Sequence, residues 1–490
     1  MSPFCKILGV VISASIFQAH AVQARSLSEF TKKLDQIQNE SQQLSEQNCE
    51  QDLQDLTLFF KDYIPEAADK SILNAQGQQV LDNSFKARVI LHDQLGHLPL
   101  VCAEEMKNLF RNMRAAEDNI GVVTYADQQI NTEDVQFARQ PVPLLQADAY
   151  HPFHLNNQPF GFKKGDLMIT KGVTIVSSTI SAMAQDPSLF SHIVFVYQDP
   201  KTQEFGTIES YIGKGVDRYA IDFALRNENA RILQLRAKDQ SLAVAAHDYM
   251  VDRVLRSEAS PATHIHYDYK QDLSDDTAMT CEEIAYDAFK VASHNQFILP
   301  WMPSEVGLKD PKFLKNAGLQ PGLNMLPADM EVDPRFDIVL DWTDYRIMRD
   351  SSRKDAIMQE VVRWINEEGY VMHNSAKATA AKLIWDTREI GFLWPKLSKL
   401  AGIPEDYETE VPANGLALVA NLKVLGAYLI PVLAKADQVQ FAKTGQWMSN
   451  SQMRSYVNSL RVQDMDRFRS TGMGKFHGFF RPDNLKSFDH

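Results

Sequence analysis

At 490 residues the chain is too long for one small module and should hold about two to four domains. Apolar residues make up 44% and charged residues 23%, which excludes a disordered chain, a collagen-like repeat and a multi-span membrane protein. The balance of 63 acidic against 50 basic residues gives a formal charge of -13, and no basic stripe offsets it, so nucleic acid is not an expected partner.

The first segment, residues 1–24, reads as a signal peptide. Lys6 supplies a positive charge, Ile7 to Phe17 is an apolar run too short to span a bilayer, and Ala19-His20-Ala21 and Val22-Gln23-Ala24 suit signal peptidase. Cleavage after Ala24 is preferred, which predicts an exported protein of the periplasm or cell envelope. Removal of Cys5 leaves three cysteines for an oxidising compartment. Cys49 and Cys102 share the N-terminal third, so they are expected to pair, leaving Cys281 as a free thiol.

From Leu27 the residues Leu27, Phe30, Leu34, Ile37 and Leu44 keep a heptad-like spacing, and helical patterns continue to about residue 125. An N-terminal helical domain is therefore predicted over 25–140, ending in a polar, Pro-bearing stretch. A second domain, α+β, is predicted over 141–348. Its strands are DLMIT, GVTIV, HIVFVYQ, GTIESYI, HIHYDY and RFDIVLDW, and its helices include ALRNENARILQLRAKD and SLAVAAHDYMVDRVLRS. Helical patterns return over 349–490. Gly415 to Ala434 is apolar but interrupted by Asn421, Lys423 and Pro431, so a buried helix or hairpin is expected there rather than a transmembrane span. The oligomeric state is not legible.

The chain contains no GxSxG, HExxH, CxxC, Walker or GxGxxG signature, and the Gly213-Lys214-Gly215 turn is too short to mark a phosphate site. Chemistry concentrates instead on Cys281. Thr280 and Glu283 form a capping-box pattern that makes Cys281 the first residue of a helix, with Ile284, Ala288 and Val291 anchoring it. Free N–H groups and the positive helix end there favour a thiolate, so a depressed pKa is expected. His192 is the candidate base. If Asp199 to Thr202 form a hairpin loop, His192 faces Glu209, and a carboxylate lies beside the imidazole. A rival set, His264, His266 and Asp268, alternates as strand-borne metal ligands would, with His151 and His154 as further candidates, and carries less weight.

The segments Gly165-Asp166-Leu167-Met168, Ser191-His192-Ile193-Val194, Ile208-Glu209, Tyr267-Asp268 and Thr280-Cys281-Glu282-Glu283-Ile284 resemble the YiiX-like, circularly permuted branch of the NlpC papain-like hydrolases, over about 165–345. The resemblance implies a permuted papain-like core, an antiparallel sheet packed on helices, flanked by the two helical regions. It also implies thiol hydrolysis or acyl transfer, with His192, Glu209 and Cys281 in the order His, acid, Cys. Glu282 departs from the Ser that related sequences often carry after the Cys. The expectation is an exported cysteine hydrolase, a peptidase or amidase, that needs no cofactor or metal and cleaves an amide bond in peptidoglycan or another cell-envelope substrate. The alternatives are a lipid acyl hydrolase or acyltransferase on the same core, or a non-catalytic envelope scaffold.

Overall fold

A computed structural model describes residues 25–40, 44–125, 144–146 and 162–485, apart from 186, 227–228, 318, 389–393, 402, 404–406 and 408–410. The signal segment, His151 and His154 lie outside the described residues. In chain order the N-terminal part holds α1 (Leu27–Glu40), α2 (Cys49–Phe60), α3 (Lys70–Gln94) and α4 (Leu100–Tyr125). The middle part begins with β1 (Leu144–Gln146), β2 (Leu167–Gly172), α5 (Ile175–Ala182), β3 (His192–Gln198), β4 (Phe205–Tyr211) and β5 (Gly215–Ala220). It continues with α6 (Ile221–Arg226), β6 (Asn229–Ala237), α7 (Gln240–Glu258), α8 (Cys281–Ala292), β7 (Ser304–Glu305), α9 (Pro311–Ala317), β8 (Leu323–Asn324) and β9 (Phe336–Thr343). The C-terminal part holds α10 (Tyr345–Glu368), β10 (Tyr370–Met372), α11 (Ala376–Trp385), α12 (Trp394–Ala401), α13 (Ala413–Thr444), α14 (Asn450–Thr471) and β11 (Phe480–Pro482).

The fold is α+β, built on a seven-stranded antiparallel sheet in the order β1-β9-β6-β2-β3-β4-β5. The heptad-like stripe is core: Leu27, Phe30, Leu34 and Ile37 are buried on one side of α1. The same hydrophobic core runs without a break from these helices into the sheet. A disulfide joins Cys49 to Cys102, whose Cα atoms lie 5.9 Å apart, and ties α2 to α4. Such a bond fits an oxidising compartment.

Three expected elements differ. The helix expected at 224–239 is replaced by the short α6 and by β6, a strand between β2 and β9 that is buried on both faces. Arg231, Gln234 and Arg236 imitate the polar stripe of a helix, yet all three are buried. Arg231 pairs with Asp118, while Gln234 Nε2 and Arg236 Nη2 reach Asp166 Oδ2 at 2.7 and 2.6 Å. GVTIV is not a strand either. Thr174 accepts the Ser177 N–H and caps α5, which takes over from Ile175. HIHYDY makes only an isolated bridge between His266 and Ala278.

Behind β9 lies a buried ion cluster. Arg88 of α3 contacts Asp341 at 2.5 Å and Glu117 at 3.1 Å, and Arg114 of α4 contacts Glu331 at 2.5 Å and also Asp341. Burial alone would push the Asp341 carboxyl up, but Arg114, Arg88 and Arg231 hold it below the usual carboxylate range. A second core joins α5, α10, α13 and α14. Within it Asp437 of α13 accepts from Arg349 at 2.8 Å and Arg353 at 2.9 Å, both on α10. α13 is one helix that runs through Pro431. It is long and apolar enough to cross a membrane, yet Leu422, Leu425, Leu429 and Leu433 are buried in this core.

Removing one partner of a buried ion cluster leaves the others uncompensated. Asp341→Asn should therefore lower the unfolding free energy by roughly 3–5 kcal/mol. Asp337→Asn, on the same strand but with a side chain 39% exposed, should change it by less than about 0.5 kcal/mol. Urea unfolding of both variants checks the contrast.

Candidate active site

β3 reads HIVFVYQ, a run of β-branched and aromatic residues that suits a strand buried on both faces, and His192 stands at its start. Asp199 closes the following turn by accepting the N–H groups of Lys201 and Thr202. Gln203 then takes a left-handed conformation, φ +63°, and Asp199 N–H bonds to the Glu204 carbonyl. The loop thus spans six residues rather than four, and the pairing is Gln198 with Phe205 and Phe195 with Ile208, two positions from the expected register. Carried back along β3, this register sets His192 across from Tyr211. A shift of two preserves the alternation of faces, so Glu209 stays on the His192 side.

The contacts follow from that alternation. His192 Nε2 lies 3.0 Å from Glu209 Oε2. The Tyr211 hydroxyl donates to the same oxygen at 2.6 Å, and the Thr207 hydroxyl donates to Oε1 at 2.6 Å. Tyr211 also stacks on the imidazole, with ring centroids 5.1 Å apart. Three donors therefore converge on a carboxylate that is 1% exposed. With Nε2–H donating to Glu209, Nδ1 carries the lone pair and is the nitrogen left for proton transfer. Thr207 and Tyr211 were missed in the sequence. Their signal was the period of two through Thr207, Glu209 and Tyr211.

α8 begins at Cys281, capped by Thr280, whose Oγ1 accepts the Glu283 N–H while Glu283 Oε2 accepts the Thr280 N–H at 2.6 Å. Burial pushes the Glu283 carboxyl up to about 8, against the pull of the Thr280 N–H. Ile284, Ala285, Ala288 and Phe289 anchor the helix, whereas Val291, expected among them, is exposed. The helix packs on β3 and β4. The Cys281 thiol is free, buried, and donates to Glu282 Oε2 at 3.2 Å rather than to the imidazole.

The expectation of a depressed thiol pKa is overturned. Burial pushes the thiol well up, the Glu282 carboxylate pushes the same way, and the backbone N–H of Ile193 opposes them. Capping fixes where the sulfur sits, but a desolvated thiol beside a carboxylate keeps its proton despite the helix end. α8 packs on β3, the strand that His192 opens, but no hydrogen bond joins the thiol to the imidazole.

Cys281, Glu282 and Ser191 border an apolar cavity of about 110 Å³ that opens to solvent. Ile180 of α5, Met183 just after it and Leu418 of α13 are among its other lining residues. Part of the C-terminal helical region therefore forms a wall of the site.

The rival constellation does not assemble. His264 Nε2 meets the Lys214 carbonyl at 2.9 Å, the two imidazoles of His264 and His266 meet edge to face, and Asp268 accepts the N–H groups of Lys270 and Asp272, both at 2.6 Å. The Asp268 carboxylate is thus engaged in closing its own loop. Among the described residues no group of three or more His, Cys, Asp or Glu side chains could hold a metal ion.

No family model matches the chain, and no curated protein matches it. Among solved structures, the metalloprotein yiiX of Escherichia coli O157:H7 aligns at 15% identity over 36% of this chain and 96% of its own, with a TM-score of 0.29. This is a distant YiiX-like link.

A raised thiol pKa means a smaller thiolate fraction at neutral pH than free cysteine has. Iodoacetamide alkylation of Cys281 should therefore show a pH midpoint above the ordinary value of about 8.5. Glu282→Gln removes the repelling charge and should move the midpoint downward, a shift read by mass spectrometry of the alkylated peptide.

Proposed function

We propose that the protein is an exported thiol hydrolase or acyltransferase with Cys281 as nucleophile, His192 as general base and acid, and Glu209 as the group that orients the imidazole. The observation that carries this reading is the His192–Glu209 hydrogen bond at the start of β3, the strand on which α8, with Cys281 at its capped start, is packed. A permuted papain-like core fits the chain order His, acid, Cys, and the disulfide supports an oxidising location such as the periplasm or cell envelope.

The chemistry follows from a thiol that rests protonated. Sγ attacks an acyl carbon while its proton passes to His192 Nδ1, so the base acts during attack rather than through a preformed ion pair. Backbone N–H groups at the start of α8 stabilise the oxyanion. The bond to the leaving oxygen or nitrogen breaks, and that atom takes the proton from His192. Water, or an acceptor alcohol or amine, then attacks the thioester and gives its proton to the imidazole. The C–S bond breaks and the thiolate recovers the proton. Glu209 holds the Nε2 proton throughout and stabilises the imidazolium. The scissile bond is an amide of a peptidoglycan peptide or an acyl bond of a lipid, since the same side chains serve both.

Cys281→Ala should abolish turnover, and Glu209→Gln should lower kcat by about 100-fold or more with the fold intact. Incubation with peptidoglycan fragments and with phospholipids, followed by mass spectrometry, should reveal product and an acyl adduct on Cys281. Absence of both with either substrate class would favour the non-catalytic scaffold.

A further inference from the structure

We propose that the first half of α13, with α11 riding on it, is a lid that swings about Pro431 to open the cavity at Cys281. The opening stands on packing alone, while its use as a substrate gate rests on the reading of Cys281 as nucleophile. The motive is size. The cavity measures about 110 Å³, room for about four water molecules, whereas pockets that seat a small molecule run from about 300 Å³ upward. Cys281 itself is 7% exposed. A peptide or any other acyl substrate therefore reaches the sulfur only after a wall withdraws.

The walls differ in how firmly they are held. Cys281 and Glu282 of α8 and Val176 and Ile180 of α5 form one side. The buried Lys171 of β2 reaches Ser181 of α5 at 3.0 Å and Asp355 of α10 at 2.5 Å, which ties α5 to the sheet and to α10. Leu418 and Leu422 of α13 belong to another side.

α13 is fastened unevenly along its length. Beyond Pro431, Asp437 accepts from Arg349 and Arg353 of α10 and takes the Met448 N–H at 2.9 Å, which anchors that half. Before Pro431, Asn421 accepts the Ser375 N–H at 3.0 Å and donates to the His373 carbonyl at 2.9 Å. Ala378, Ala381 and Trp385 of α11 also pack with Leu416, Ala417 and Ala420 of α13 in a small core of their own. These bonds carry α11 along with the first half of α13 and leave that half to apolar contacts on its other faces, Tyr269 touching the small core among them. Pro431 lies between the two halves and has no N–H to give the Ala427 carbonyl, so the helix bends there at least cost. Opening withdraws Leu418 and Leu422 from the second core, which keeps the open form a minor population.

The test compares labelling of Cys281 by methyl methanethiosulfonate, which fits the cavity, with labelling by pyrene maleimide, which does not. Each rate is divided by the rate with glutathione, and the label is located by peptide mapping. Pyrene labelling should be slow yet proceed in the native protein, at a rate insensitive to urea below the unfolding transition. An added Cβ at Gly426 would lie 3.5 Å from Ile175 Cγ1, so Ile175→Cys with Gly426→Cys, oxidised to a disulfide, locks the lid to α5. The lock should stop pyrene labelling, reductant should restore it, and the methyl reagent should react throughout. Pro431→Ala, which returns an N–H to Ala427, should slow the pyrene reagent about tenfold, the factor one restored hydrogen bond is worth, and leave the methyl reagent unchanged. Pyrene labelling of the locked protein at the unlocked rate, or of Pro431→Ala at the wild-type rate, would overturn the lid. So would pyrene labelling that begins only once urea unfolds the chain. Full turnover by the locked protein would reject the gate and keep the hydrolase. A working lock without turnover of any substrate would keep the lid and reject the hydrolase.

Discussion

Asp341 holds the molecule together at the point where its layers meet. Two guanidinium groups, from α3 and α4, converge on this one carboxylate of β9, and Glu117 and Glu331 complete the cluster. Such a cluster adds little net stability over an apolar core, because the desolvation of each ion offsets most of the attraction. Its stringency lies in geometry. Any slide of the helices over the sheet would leave a buried charge without its partner. β9 is thereby fixed against the N-terminal helices, β6 is fixed against β9, and β2 and β3 follow in order across the sheet. The placement of His192 is the last consequence of that chain of neighbours.

Features written in local sequence were legible. The capping box at Thr280 and Glu283, the stripe of α1 and the strands β3, β4 and β9 each depend on residues close together in the chain. What was not legible depends on partners far away. β6 carries two arginines and a glutamine that no local rule assigns to a central strand, since partners distant in the chain, Asp118 and Asp166 among them, make their burial tolerable. GVTIV has β-branched residues enough for a strand, but the Thr174 cap and the demands of the second core turn it into a helix. The hairpin register depended on one turn residue, Gln203, adopting a conformation that sequence rarely assigns to glutamine.

The thiol shows the same division between local and distant causes. Its position at a helix start was readable, and so was the field of that helix. Its burial was not, because the cavity it borders is walled by residues of α5 and α13, far apart in the chain. Glu282 was visible as a departure from the usual residue, yet its side chain could have pointed to solvent. In the folded protein it accepts from the sulfur, and the balance of charge reverses. The C-terminal helices, for which the sequence suggested no role, contribute both the second core and one side of the cavity.

The hairpin between β3 and β4 has a further consequence for how the chain can vary. His192 and Glu209 lie toward one end of the hairpin, and the six residues Asp199 to Glu204 turn the chain at the other. Because strand side chains alternate, a single-residue insertion or deletion that slides β4 along β3 would send Glu209, Thr207 and Tyr211 together to the far face. Gain or loss of two residues would return them to the imidazole, one step further along. Length changes at this surface turn are therefore admissible in pairs, an even-number rule imposed on a loop by a hydrogen bond at the opposite end of its strands.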